Sequence, residues 1–170
     1  MSGTKQNQGM KKTLLFALAL AVIPVGVDAQ VTPSDSCARI NSETPLEDLR
    51  SCVEQGDAFA QSWLGNAYRT GNKLVGVPKD IAEAVRLKRL AAEQGYWPAK
   101  QDLGRMYRTG EGVPRDYVLA YMWYNLAAAQ MPFVIAGTRD RLEEQMTREQ
   151  IAEAQRLSTE WLEAHPPGGN

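Results

Sequence analysis

The sequence is poor in the residues that most often carry out catalysis or bind metals. Among 170 residues there is one histidine and there are two cysteines. The histidine, His165, is followed by two prolines and two glycines, a composition that favours a frayed tail. A Ser/His/Asp or Cys/His arrangement therefore lacks a positioned base, and neither His-Glu-x-x-His nor Cys-x-x-Cys occurs. The sequence predicts no catalytic residue, no metal site, no cofactor and no enzyme activity.

An excess of charge of one sign is also lacking. The chain has 19 Lys and Arg against 20 Asp and Glu, a formal net charge of -1, with the two signs interspersed. This pattern gives no basic surface for nucleic acid or for an anionic membrane. Beyond the first 30 residues there is no long apolar run, so we expect no stable membrane insertion of the mature chain. A protein or peptide partner remains the predicted kind of ligand.

The N-terminal 29 residues have the pattern of a secretory signal peptide. Lys11 and Lys12 precede an apolar run from 14 to 23, which Pro24 ends, and small residues lead to a predicted cleavage after Ala29. The alternative is an uncleaved membrane anchor, but the run is shorter than the ~20 residues that span a bilayer. We therefore expect a periplasmic or secreted protein.

The two cysteines, Cys37 and Cys52, both lie in the part predicted to be exported. In an oxidising compartment an isolated pair usually forms a disulfide. Closing a loop of about 15 residues would stabilise the fold by ~3 kcal/mol. The alternative is two separate buried thiols.

The main feature of the sequence is an internal repeat. Residues 54–71 recur at 93–110 with an offset of 39, as in Leu64-Gly65 and Leu103-Gly104. Residues 76–92 recur at 112–128 with an offset of 36, because the first copy has three extra residues between 72 and 75. A period near 36 with helical patterning is typical of stacked helix pairs, each burying its apolar face on its neighbours.

Capping patterns predict where the helices begin. Thr44, Asp80 and Thr147 each have a Glu or Gln three residues later, which is the capping-box arrangement, and Asp116 is placed to cap a further helix. We expect seven helices: one cap, two repeat pairs and a C-terminal pair. The predicted boundaries are an irregular segment at 30–43, a solenoid at 44–164 with repeats at about 57–95 and 96–131 and a C-terminal cap at 132–164, and a disordered tail at 165–170.

These units resemble the Sel-1-like repeat family, whose pattern is Ala-x3-Leu-Gly-x2-Tyr-x2-Gly, a Gly-Val-x2-Asp loop, and a second helix with an aromatic residue and Ala-Ala. The second copy fits this pattern from Ala99 to Ala128, whereas the first has Leu87 in place of the aromatic residue. The resemblance implies an all-α fold, a short right-handed α/α solenoid of about two helix pairs with helical caps at both ends. It also implies an adaptor or scaffold, often in the periplasm. Tetratricopeptide repeats are the alternative fold.

Six polar residues are the predicted partner-binding site, because first helices usually line the concave face of a solenoid. They lie opposite the apolar stripe and form two columns: Ser62, Asn66 and Arg69 in the first copy, and Gln101, Arg105 and Arg108 in the second. The alternative interpretation is a solvated helix face.

An envelope enzyme of the β-lactam or peptidoglycan hydrolase type, or its regulatory subunit, is the alternative function. The only Ser-x-x-Lys, Ser2 to Lys5, lies in the predicted leader. Thr70-Gly71 and Thr109-Gly110, which resemble part of a Lys-Thr-Gly motif, are better explained as helix C-caps. The sequence therefore favours the adaptor.

Overall fold

The computed structural model describes residues 37–73 and 76–166, and within these ranges the only regular structure is helical. A short 3-10 turn at Cys37–Arg39 precedes seven α-helices, the predicted number. Their bounds are α1 Leu46–Glu54, α2 Ala58–Thr70, α3 Ile81–Glu93, α4 Trp97–Thr109, α5 Tyr117–Ala128, α6 Pro132–Glu143 and α7 Arg148–Ala164.

Side-chain caps start four of these helices. Asp57, Asp80 and Asp116 accept hydrogen bonds from backbone N–H groups in the first turns of α2, α3 and α5, at 2.6, 3.0 and 2.9 Å. Thr147 and Gln150 form the predicted reciprocal capping box at the start of α7. Each bond satisfies a backbone donor that the helix itself leaves unpaired.

Two of the predicted capping boxes are wrong. The hydroxyl of Thr44 accepts a hydrogen bond from the N–H of Asn41 instead of capping α1, whose N-cap is Pro45 without a side-chain bond. At α3, Asp80 does cap, but the carboxylate of Glu83 accepts two hydrogen bonds from Arg86. An arginine one turn away is a stronger partner for a carboxylate than a single backbone N–H.

The repeated Thr-Gly pairs end α2 and α4. Gly71 and Gly110 adopt φ values of 72° and 75°, and their N–H groups return to Ala67 and Met106 in the last turn of each helix. A left-handed C-cap of this kind favours glycine because a Cβ would be strained. These positions act as helix ends, as the sequence indicates.

Helix α5 lies at the centre of the packing, against α4, α6 and α7. Every residue from Ala120 to Tyr124 is buried, so this helix has no solvated face over that stretch. Such a helix needs neighbours on all sides. The C-terminal pair α6 and α7 supplies them, and it thereby closes the stack after the second repeat.

A disulfide between Cys37 and Cys52 closes the other end of the stack. The two Cα atoms are 5.6 Å apart, and both residues are almost fully buried in one cluster with Leu49 and Leu64. The bond fastens the segment before α1 onto α1, whose helix packs on α2. The N-terminal segment therefore covers apolar surface that has no preceding repeat.

The predicted leader, residues 1–29, and the end of the predicted tail, 167–170, lie outside the described residues. His165, the first residue of that tail, ends α7 with its ring stacked on Trp161 at 4.2 Å between centroids. No helix in the described ranges has the length and apolar content needed to cross a membrane.

Candidate functional site

Two glycines set how closely the helices of each repeat approach. A Cβ on Gly104 would lie 2.7 Å from the ring of Tyr124, and one on Gly65 would lie 3.4 Å from the side chain of Lys88. Lys88 and Tyr124 hold the same position in the two second helices, 36 residues apart. The glycine of each Leu-Gly pair thus makes room for a long side chain that reaches from the second helix of the repeat across the first helix.

The ammonium group of Lys88 joins three helices. It donates to Ser62 Oγ in α2 at 2.8 Å and pairs with Asp102 Oδ2 in α4 at 2.5 Å. The side chain of Lys88 is 1% exposed, whereas that of Asp102 is 24% exposed. Burial lowers the pKa of Lys88, and the Asp102 carboxylate opposes this change. The charge is held beneath the surface because its partner and a hydroxyl satisfy it.

Ionic contacts extend from this lysine across the surface. Arg105 lies 3.6 Å from Asp102 Oδ1 and 2.5 Å from Glu111 Oε2, and Glu111 also lies 3.6 Å from Arg69. Glu111 stands in the loop after α4 and so links the first helices of the two repeats. Since these side chains are about 30% exposed, each pair contributes at most ~1 kcal/mol to stability. Their main effect is to fix the arginine side chains in place.

A cleft of about 490 Å³ opens beside this network, between α4 and α6. The buried ring of Tyr124 contributes to it from α5. Burial raises the pKa of Tyr124, and the neighbouring guanidinium of Arg108 partly offsets that effect. The lining residues are Gln101, Asp102, Arg105, Arg108, Tyr124, Thr138, Arg141, Leu142 and Gln145. A polar lining of this kind can bind a ligand by hydrogen bonds and charge.

The structure brings four of the six predicted site residues together. Gln101, Arg105 and Arg108 line the cleft, and Arg69 joins them through Glu111. Asn66 is exposed on α2. Ser62 is 4% exposed and bonded to Lys88, so its expected place on the surface is wrong. The long side chain of Lys88 lies over the first repeat at this point and covers Ser62.

Sequence reasoning missed the residues that shape this surface from other elements, namely Lys88, Glu111, Tyr124 and Arg141. The repeat offset of 36 places Lys88 and Tyr124 at equivalent positions. A charged residue in one copy and an aromatic residue in the other would have marked this position as one where the two repeats differ. The i,i+3 pair of Asp102 and Arg105 was also readable from the sequence. Arg141 was not, because α6 does not reproduce the repeat pattern.

Within the described ranges, no group of three or more His, Cys, Asp or Glu side chains is arranged to hold a metal ion. His165, the single histidine, places Nδ1 2.8 Å from the carbonyl oxygen of Trp161. Ser2 to Lys5, the sequence's one Ser-x-x-Lys, lies outside the described residues.

The stacked helix pairs, and the Leu-Gly pair that lets the two helices of each repeat pack closely, define an α/α repeat solenoid. Residues 58–96 and 97–130 match the Sel1 repeat model. These two segments of the chain are Sel-1-like repeats. Proteins with Sel1 repeats generally mediate protein–protein interactions.

Similar proteins come from both plants and bacteria. An ERAD-associated E3 ubiquitin-protein ligase component, HRD3B of Arabidopsis thaliana, is 34% identical over 88 residues, which are 49% of this chain and 14% of that protein. A protective antigen of uropathogenic Escherichia coli strains, described as displaying an SLR fold, is 37% identical with a TM-score of 0.66, over 71% of this chain and 26% of the antigen. This chain thus spans about a quarter or less of either protein.

Proposed function

We propose that the chain is an adaptor or scaffold for protein–protein interaction that works in the cell envelope, either in the periplasm or after secretion. Two Sel1 repeats support a binding role. The observation that carries the proposal is the polar cleft of about 490 Å³ on the first helices, beside arginines that ion pairs hold in place.

The binding surface in this proposal is the inner face, defined as the surface that carries Asn66, Arg69, Gln101, Arg105 and Arg108. Ser62 acts behind it, by holding the ammonium group of Lys88. Side chains that are already fixed lose little conformational entropy when a partner binds, which favours affinity. An extended segment of a partner could then bond to the amide and guanidinium groups through its backbone carbonyls.

An envelope location is supported by one prediction from the sequence and one feature of the structure. The first is the predicted signal peptide, with cleavage after Ala29. The second is the Cys37–Cys52 disulfide, which suits an oxidising compartment.

The proposal is tested by changing Arg69, Arg105 and Arg108 together to Ala and measuring capture of proteins from envelope extract by the purified mature chain. We expect the captured partner to bind ~1 to 3 kcal/mol more weakly, through the loss of charge-assisted bonds. A matched control changes Arg86, Arg139 and Arg156, which pair with carboxylates elsewhere on the surface. Equal capture by both triple variants would show that the partner binds away from the inner face.

The alternative, an envelope hydrolase or its regulatory subunit, makes a different prediction. Purified protein would then turn over substrates in a panel of β-lactams and peptidoglycan fragments. Turnover that survives removal of contaminants and the triple arginine change would overturn the adaptor proposal.

A further inference from the structure

The two grooves between successive first helices differ in charge. In the groove between α2 and α4, the chain supplies its own carboxylates: Asp102 pairs with Lys88, and Glu111 pairs with Arg69. In the next groove, between α4 and α6, Tyr124 takes the place of Lys88.

Helix α6 can be aligned with α4 by its buried residues. Ala99 and Met106 in α4 have the same spacing as Ile135 and Leu142 in α6, and all four are buried. This alignment puts Thr138 where Asp102 stands in α4.

The second groove therefore has two arginines that lack a carboxylate partner. Arg108 and Arg141 both line the cleft, and neither forms an ion pair with any carboxylate of the described residues. Arg105, the third arginine of the cleft, is already paired with Glu111 and Asp102, which it shares with Arg69 and Lys88. The chain as a whole is nearly neutral, so this excess of positive charge is local.

Arg108 also has an unused hydrogen-bond donor. Its Nε atom is buried and has no hydrogen-bond partner. Arg69, its equivalent in the first repeat, has the same unpartnered Nε but is itself paired with Glu111. A buried donor without an acceptor costs free energy, which an incoming acceptor would recover. The first repeat thus places a carboxylate beside the arginine at this position, 3.6 Å from its Nη1 atom.

We propose that the cleft is a carboxylate-binding subsite, in which Arg108 and Arg141 hold an acidic group of an extended peptide segment of the partner. Guanidinium groups bind carboxylates through parallel N–H···O bonds, and two arginines on different helices can approach one carboxylate from both sides. A volume of about 490 Å³ is within the usual range for ligand pockets and accommodates the acidic side chain with adjoining backbone. This inference rests on the proposed function, since it names the chemistry that the inner face recognises.

The test uses the purified mature chain and short peptides as probes. One probe is a capped pentapeptide of alanines with a central glutamate, the second is its glutamine counterpart, and the third is an alanine pentapeptide with a free C-terminal carboxylate. The arginine Nε–H signals are followed by ¹⁵N NMR during titration up to about 10 mM peptide, a range that detects affinities near 1 mM. We expect Arg108 and Arg141 to shift with the carboxylate peptides and not with the glutamine peptide. A response to the glutamate probe alone identifies a side-chain carboxylate, and a response to the free C-terminus alone identifies a terminal one.

Variants separate this subsite from general surface charge. Arg141→Gln is expected to raise the Kd of the carboxylate peptides about tenfold, equivalent to 1.4 kcal/mol. Arg139→Gln, on the same helix but paired with Asp140, is expected to leave binding unchanged. Unaltered backbone amide spectra would show that both variants are folded.

Two results would overturn the inference: no shift at Arg108 and Arg141 with either carboxylate peptide, or an equal response to the glutamine peptide. Partner capture by the inner face is measured separately. Failure of the peptides with retained capture would therefore reject the carboxylate chemistry alone, and peptide binding without capture would reject the adaptor role alone.

Discussion

Lys88 in α3 and Tyr124 in α5 hold the same repeat position, and each covers a glycine of the preceding helix. Their side chains make the two grooves differ in charge and in how far they are filled. Lys88 fills its groove with a charge that pairs with Asp102, whereas Tyr124 presents a neutral phenol to an open cleft. The groove beside Tyr124 contains the candidate binding cleft, whereas Lys88 occupies the equivalent place in the other groove.

The two glycines should differ in their tolerance of a methyl group. Gly104→Ala is expected to destabilise the fold by ~1 to 3 kcal/mol, because the new Cβ would lie 2.7 Å from the buried Tyr124 ring. Gly65→Ala is the matched control and is expected to lose less stability than Gly104→Ala. Its nearest neighbours are 3.3 to 3.4 Å away and include the flexible Lys88 side chain, and alanine favours a helix by ~1 kcal/mol. Urea unfolding that gives equal losses for both variants would contradict the close approach.

Removing either partner of the Lys88–Asp102 pair should have unequal effects. Asp102→Asn leaves the buried ammonium of Lys88 without a counter-charge, so we expect a loss of ~1 to 3 kcal/mol, less than for a fully buried pair because Asp102 is partly exposed. Lys88→Met removes the buried charge and keeps the packing of the stem, so its cost should be below ~1 kcal/mol. Urea unfolding of both variants gives the comparison, and a greater loss for Lys88→Met would contradict it.

Tyr121 should make stability depend on pH in the alkaline range. Burial, together with a 2.7 Å hydrogen bond to Glu143, raises the pKa of Tyr121 to about 12. A raised folded-state pKa stabilises the protein fully below the unfolded value near 10, and this stabilisation is lost as the pH rises toward 12.

Tyr121→Phe should therefore be less stable than wild type at pH 8, and the difference should shrink as the pH rises above 10. Unfolding in urea at several pH values measures this difference. Tyr117→Phe is the control, since its hydroxyl has only a 3.4 Å contact with Gln145. A difference that stays constant from pH 8 to about 11 would contradict the prediction.

The disulfide should contribute a substantial part of the stability. Cys37 and Cys52 are 15 positions apart, and closing such a loop stabilises by ~3 kcal/mol. Reduction of the disulfide, or changing both cysteines to Ser, should lower the Tm measured in a thermal unfolding experiment. Finding two free thiols in protein isolated from the envelope would show that the bond does not form there.

The repeat made much of the fold predictable. The offsets of 39 and 36 located α2 to α5, and Thr147 with Gln150 located the start of α7, because these patterns depend on local chemistry. The errors arose where two local partners compete, as when Arg86 takes the carboxylate of Glu83 from its capping role.

The site was less predictable. Gln101, Arg105 and Arg108 followed from helical spacing, but the burial of Ser62 depends on Lys88, 26 residues further along the chain. Arg141 reaches the cleft from a helix without repeat pattern. Contacts of this kind depend on how the helices stack, and helical periodicity describes only one helix at a time.

The central claim is that the inner face binds a protein, and site-specific cross-linking tests it most directly. A photoreactive side chain is placed at Gln101 in the cleft, and in a separate variant at Gln155, which is exposed on α7. Cells that express each variant are irradiated, and adducts of the mature chain are compared. We predict a discrete protein adduct from Gln101 that is absent from Gln155 and lost when Arg105 and Arg108 are changed to Ala. Adducts of equal yield from both positions, or none from Gln101, would contradict the claim.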